Sequence, residues 1–154
     1  MATLKTGNKA PEFKLSDQQG NVVSLNDFKG RKLLVYFYPK ADTPGCTKQS
    51  CALSDTRSSL KTQGVDVVGI SPDAPAALNR FDGKYQLGFP LLSDEDHAVA
   101  EAYGVWGKKS MYGNTYMGII RSSFLIDESG KIAELWYKVS PAKTVPNALK
   151  ALNK

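Results

Sequence analysis

Residues that hold metals are scarce in this chain. It has one histidine, His97, and two cysteines, Cys46 and Cys51. Zinc usually takes four ligands, often in close cysteine pairs, so neither a metal nor another cofactor is expected. His97 follows Ser93-Asp94-Glu95-Asp96 and is expected to be solvated, which weakens any reading as a Cys–His hydrolase. Long apolar runs are missing too, so no membrane span is expected. Residues 1–10 are polar and basic, without the apolar core of a secretory leader. The expected compartment is the cytoplasm, although a processed organelle protein would read the same way. A glycine-rich phosphate loop, an internal repeat and an interior linker are also absent.

What is present fits one domain spanning residues 1–154. With 42% apolar and 23% charged residues, the chain can bury a core and shows no sign of disorder. The net charge of +5 invites a nucleic-acid reading. The lysines are scattered from Lys5 to Lys154, however, and the longest basic clusters are the pairs Arg31-Lys32 and Lys108-Lys109. A solvated surface is the simpler expectation, with no nucleic-acid partner. Two cysteines five positions apart are too few and too close for a small secreted disulfide scaffold. In a reducing compartment such a pair is catalytic, metal-binding or inert.

The elements read as mixed α/β. Residues 13–15 and 22–25 flank Asp17-Gln18-Gln19-Gly20-Asn21, a hairpin signal. Leu33-Leu34-Val35-Tyr36-Phe37-Tyr38 reads as a buried central strand, stopped by Pro39. A helix follows to about Gln63, with Thr43 as N-cap, Pro44 as first helical residue and Gly64 as stop. Cys46, Leu53 and Leu60 recur every seven residues and so share one stripe of it. Residues 65–70 read as a second buried strand, which makes 33–70 a right-handed crossover between parallel strands. Further helices are expected at 74–86, capped near Asp73, at 94–103, and at 142–152, interrupted early by Pro146. Residues 122–127 and 131–137 read as a hairpin joined by Glu128-Ser129-Gly130. Trp106, Tyr112, Tyr116 and Met117 read as packing or loop residues, or as an apolar rim to a site.

The informative feature is where Cys46 falls. In the first turn of a helix, backbone N–H groups lack partners and the dipole favours an anion such as a thiolate. The cysteine also follows a buried strand, where α/β folds place their sites. Gly45 leaves room for close approach to the sulfur. Ionisation alone explains little: a free cysteine is about 3% thiolate at pH 7, so complete ionisation adds roughly 30-fold. Enzymes typically reach at least about 10⁶-fold. A cation and hydrogen-bond donors should therefore lie beside the sulfur, and Arg121 and the Thr43 hydroxyl are the candidates.

Pro39-Lys40-Ala41-Asp42-Thr43-Pro44-Gly45-Cys46 resembles the peroxiredoxin pattern P-x-x-x-T-x-x-C at every fixed position. With Cys51 five residues on, the chain is similar to the bacterioferritin-comigratory or PrxQ branch. Ala10-Pro11-Glu12-Phe13, Gly69-Ile70-Ser71, Phe89-Pro90-Leu91-Leu92-Ser93-Asp94 and Arg121-Ser122-Ser123-Phe124-Leu125-Ile126-Asp127 extend the resemblance over nearly the whole chain. It implies an α/β, thioredoxin-like fold with an N-terminal β-hairpin. It implies hydroperoxide reduction by Cys46, with Thr43 and Arg121 binding and polarising the peroxide. It implies that Pro39 shields the sulfur, that Cys51 resolves the sulfenic acid as a Cys46–Cys51 disulfide, and that thioredoxin or a similar dithiol protein recycles it. The branch it resembles is often monomeric, so the resemblance implies a monomer, and there is no C-terminal cysteine for an intersubunit disulfide.

The spacing then sets a constraint. On an ideal helix, residues five apart have Cα atoms roughly 8.7 Å apart. A disulfide needs less than about 7 Å, so the segment must partly unwind on oxidation. Other readings are a one-cysteine peroxidase, a non-catalytic redox sensor, and a disulfide oxidoreductase, which usually uses C-x-x-C rather than C-x-x-x-x-C.

Overall fold

The computed structural model describes residues 4–152; residues 1–3, at the head of the stretch read for a leader, and residues 153–154 lie outside it. The chain runs β1 (Lys14–Ser16), β2 (Val22–Ser24), β3 (Lys32–Phe37), α1 (Pro44–Thr62), β4 (Val65–Ser71), α2 (Pro75–Tyr85), β5 (Leu91–Ser93), α3 (Ala98–Ala102), β6 (Trp106–Met111), β7 (Asn114–Ile119), β8 (Ser122–Ile126), β9 (Ile132–Trp136) and α4 (Thr144–Leu152). Among the described residues, seven strands form one sheet in the order β2-β1-β5-β4-β3-β8-β9, and β6 with β7 forms a separate ribbon. No helix of the described residues is long and apolar enough to cross a membrane.

The centre of the sheet explains the unbroken apolar run. β3 pairs parallel with β4 and antiparallel with β8, and helices cover both faces. Leu33, Val35 and Phe37 face one core cluster with Val99, Ala100 and Tyr103 around α3. Leu34 and Tyr36 face the other, with Leu53 and Leu60 of α1, Leu78 and Phe81 of α2, and Ala148 of α4. Alternation disappears because each face is interior. Each such side chain contributes roughly 1.5–3 kcal/mol on burial. Gly69 of β4 is needed beside Tyr36: a Cβ there would lie 2.7 Å from the ring. The space lets Tyr36 OH reach Ser50 Oγ of α1 at 2.7 Å, which fixes the helix over the strand end.

The crossover, both expected hairpins and α1 with its stop at Gly64 (φ 80) are present. Cys46, Leu53 and Leu60 are all buried on one stripe of α1. Other expectations need correction. Asp73 does not cap α2, whose N-cap is Ala74; its carboxylate accepts the Ala41 N–H (2.7 Å) and the Ser71 hydroxyl (2.8 Å) instead. The 94–103 helix is only α3, because Asp94 stays outside and accepts the Val99 and Ala100 N–H groups at the helix start. Pro146 does not interrupt α4. The helix begins at Thr144, so the proline sits in a first turn whose N–H groups have no helical partner. His97 is not simply solvated: its ring stacks on Trp106 with centroids 3.9 Å apart, and Nδ1 lies 3.2 Å from Glu101. Trp106 packs on the core and Tyr112 lies in a turn, as expected, but Trp106, Tyr116 and Met117 belong to the strands of the β6–β7 ribbon rather than to a loop.

Candidate active site

The site forms where β3 hands over to α1. The Tyr38 N–H still bonds Ile70 O, and half-buried Pro39, with no N–H to give, ends the ladder. The loop beyond it is tied at two points. Asp73 takes the Ala41 N–H. Asp42, at φ 61, meets Lys84 Nζ at 3.1 Å and the Tyr85 hydroxyl at 3.1 Å. Thr43 then takes the extended N-cap conformation (φ −92, ψ 155), and its carbonyl accepts the Thr47 N–H. The expected side-chain cap is not made; the Thr43 hydroxyl donates to Lys40 O at 2.8 Å and accepts no N–H of the first turn. The early amides of α1 are therefore left without a cap from this side chain.

Cys46 is the third residue of α1 and only 1% exposed. Its sulfur is not surrounded by apolar groups alone. Arg121, in the short link from β7 to β8, places Nη2 at 3.2 Å from Cys46 Sγ. Nη1 of the same guanidinium donates to Gln49 Oε1 at 2.6 Å, and Gln49 Nε2 donates to Thr144 Oγ1 at 2.8 Å. A buried amide thus spans the arginine and α4. Gly45 lies under the guanidinium: a Cβ there would be 3.3 Å from Arg121 Nη2 and 3.4 Å from Pro141 Cγ.

Cys51 is on the same helix, half-buried, and both cysteines are free thiols. Burial pushes the Cys51 thiol up from its ordinary value, and the Asp55 carboxylate one turn further on adds to this. Below the site, burial raises the Tyr36 phenol, so it stays protonated and bonded with Ser50. Among the described residues, no three or more His, Cys, Asp or Glu side chains gather as a metal site would require.

The structure therefore brings together Cys46, Arg121 and Gly45. Thr43 and Pro39 lie in the connection leading to them, and Cys51 is just over one turn along α1. Gln49 was not anticipated. Its signal was a polar amide three residues beyond Cys46, near the stripe that carries Leu53 and Leu60. A cation at 3.2 Å and open amides at a helix start suit an anionic sulfur and charge developing on an oxygen beside it.

Residues 6–135 match the model of the AhpC/TSA family. Peroxiredoxin Bcp of Escherichia coli K12 is 58% identical over 136 residues, covering 88% of this chain and 87% of that protein. A protein of Haemophilus influenzae named as a putative peroxiredoxin bcp is 56% identical over 138 residues, covering 90% and 89%. Among solved structures, a cysteine-to-serine variant of PrxQ from Xylella fastidiosa superposes with a TM-score of 0.90 at 29% identity, over 100% of both chains. The bacterioferritin comigratory protein of Xanthomonas campestris, studied for alkyl peroxide reduction, gives a TM-score of 0.89 at 32% identity over 97% and 98%.

Proposed function

The chain belongs to the AhpC/TSA family and is a thiol peroxidase of the peroxiredoxin kind, and on that premise we propose that Cys46 is its attacking atom, with Thr43 and Arg121 binding the peroxide and Cys51 resolving the product. The observation that carries the assignment is the 3.2 Å contact from Arg121 Nη2 to Cys46 Sγ in the first turn of α1.

The substrates are hydrogen peroxide and organic hydroperoxides, reduced to water and alcohols. The thiolate attacks the terminal peroxide oxygen. An S–O bond forms, the O–O bond breaks, and the electron pair leaves on the far oxygen, which takes a proton from water. The guanidinium offsets negative charge first on sulfur and then on that oxygen. The proton of the Thr43 hydroxyl is committed to Lys40 O, so its lone pairs are free to accept the peroxide O–H. Gly45 leaves space for the –O–OH group, and Pro39 limits water at the sulfur. Because Cys46 is 1% exposed, the peroxide end must reach it through a narrow approach.

The Cys51 thiolate then attacks the Cys46 sulfenic sulfur: the S–S bond forms, the S–O bond breaks, and the hydroxide that leaves takes up the proton Cys51 gave to solvent and departs as water. Both groups lie in α1, so the helix opens for this step. The two cysteines sit on one chain segment, so the cycle closes within a monomer. Thioredoxin or a similar dithiol reductant in the cytoplasm restores the thiols.

The test is peroxide consumption driven by thioredoxin, thioredoxin reductase and NADPH. Cys46→Ser should be inactive. Cys51→Ser should keep the first turnover and stop cycling. Normal cycling by both variants would remove the assignment.

A further inference from the structure

Lys109 of β6 stands outside the P-x-x-x-T-x-x-C stretch, yet the β6–β7 ribbon carries it to Ile119, two residues before Arg121. It is half-buried, and Nζ donates to Ile119 O at 2.8 Å. Ile119 is two residues before Arg121, so the ammonium pins the strand end from which the guanidinium projects. Across the ribbon Lys109 pairs with Tyr116, and both side chains lie over Gly118. A Cβ at Gly118 would sit 3.2 Å from Lys109 Cδ and 3.4 Å from the Tyr116 ring, so the glycine lets the lysine stem lie against the ribbon.

A partly desolvated ammonium needs a counter-charge. Lys109 is in none of the ion pairs found among the described residues. Burial, then the Arg121 guanidinium, push its pKa below the ordinary lysine value, and the Cys46 thiolate pulls it back up. The carbonyl that anchors the ammonium and the guanidinium that touches the Cys46 sulfur thus lie two residues apart on one short stretch of backbone. Two neighbouring cations are tolerated when they share an anion. Of the three Lys109 N–H donors, Ile119 O takes one, which leaves two for another acceptor.

We infer that Lys109 is a second cation of the peroxide site: with Arg121 it offsets the negative charge that starts on the Cys46 sulfur and ends on the leaving oxygen. This rests on the reading of Cys46 as the attacking atom. Bond changes are as given above, S–O formed and O–O broken. Lys109 keeps its proton and acts by charge and by holding Ile119.

The test is the rate of the first oxidation of reduced protein by hydrogen peroxide, followed by tryptophan fluorescence. Lys109→Gln keeps an N–H donor for Ile119 O and removes the charge; it should be slower by about tenfold, while Lys109→Arg should stay within about threefold of the parent. Equal rates for Lys109→Gln and the parent, or an Arg variant as slow as Gln, would overturn the inference. A second readout uses a Cys51→Ser background, in which Cys46 is alkylated by anionic iodoacetate and neutral iodoacetamide. The iodoacetate-to-iodoacetamide rate ratio should fall in Lys109→Gln and hold in Lys109→Arg; an unchanged ratio also overturns it. If Lys109→Gln loses its far-ultraviolet circular dichroism, Lys109→Met is compared with Lys109→Arg by the same two measurements. Cys46→Ser is run alongside. If it oxidises like the parent, the underlying assignment has failed; if it is inert while Lys109→Gln is unimpaired, only the role of Lys109 has failed.

Discussion

Gln49 Oε1 accepts a 2.6 Å hydrogen bond from Arg121 Nη1, so the guanidinium that touches the Cys46 sulfur is aimed by a buried amide one turn along the same helix. The other end of that amide holds Thr144 of α4. Position of the cation, integrity of α1 and docking of α4 are therefore linked through one side chain.

Replacing it separates aim from charge. Gln49→Leu leaves an N–H of half-buried Arg121 without its acceptor and the buried Thr144 hydroxyl without its donor, which destabilises the fold by about 1–2 kcal/mol. The freed guanidinium drifts from the sulfur, and the first oxidation should slow by about 10- to 100-fold. Denaturant melts and stopped-flow oxidation measure the two effects. A variant with unchanged oxidation rate would show that Arg121 needs no aiming.

Gly45→Ala tests the same contact from the other side. The added Cβ would meet Arg121 Nη2 at 3.3 Å and Pro141 Cγ at 3.4 Å. Alanine also suits a helix better than glycine by up to about 1 kcal/mol. Stability should hold or rise slightly, while the oxidation rate drops about tenfold for a sub-ångström shift of the cation. Thermal melting and peroxide kinetics on one sample are enough. Loss of stability without loss of rate would contradict the expectation.

The disulfide-forming step should depend on pH through Cys51. Burial, and secondarily Asp55, hold its thiol above the ordinary 9.0. The neutral thiol therefore dominates at physiological pH, and the reactive thiolate grows about tenfold per pH unit below that value. Disulfide formation after a peroxide pulse should accelerate from about pH 7 to pH 9. Removing one contributor with Asp55→Asn should speed it by about two- to fivefold at neutral pH. Quench-flow with thiol trapping follows the step. A pH-independent rate, or a slower Asp55→Asn, would contradict it.

Oxidation should loosen α1. Closing Cys46 onto Cys51 pulls apart a helix that the Tyr36–Ser50, Gln49–Arg121 and Gln49–Thr144 bonds hold in place. Amides 46–51 should exchange faster in the oxidised protein, with a smaller change at the start of α4. Identical exchange in the two redox states would contradict this.

Much of this was legible in the sequence. β3 and β4 were visible because both faces are interior, and α1 because Thr43-Pro44 and Gly64 bracket a buried stripe. The peroxidase family was visible because Pro39, Thr43 and Cys46, the fixed positions of its pattern, lie within one short stretch. The β6–β7 ribbon was hidden. Among the described residues of its strands, Trp106 and Ile119 at its base are the ones in the core clusters, so no apolar alternation marks its strands. Its turn sets Tyr112 at φ 52 and Gly113 at φ 81, a pair lacking the usual Asn-Gly signal. β5 was too short to tell from any buried apolar run. Gln49 and Lys109 were missed because their roles come from residues 72 and 10 positions away in the chain. Asp73 looked like a helix cap, but the nearby Ala41 amide takes its carboxylate.

The most direct measurement is trapping of the first oxidation product. Reduced Cys51→Ser protein is mixed with one equivalent of hydrogen peroxide and dimedone, then digested and mapped by mass spectrometry. One dimedone adduct on Cys46, formed at the rate of peroxide loss, is the expected result. Peroxide loss without that adduct, or no peroxide loss at all, would mean that the sulfur beside Arg121 is not the atom that breaks the O–O bond.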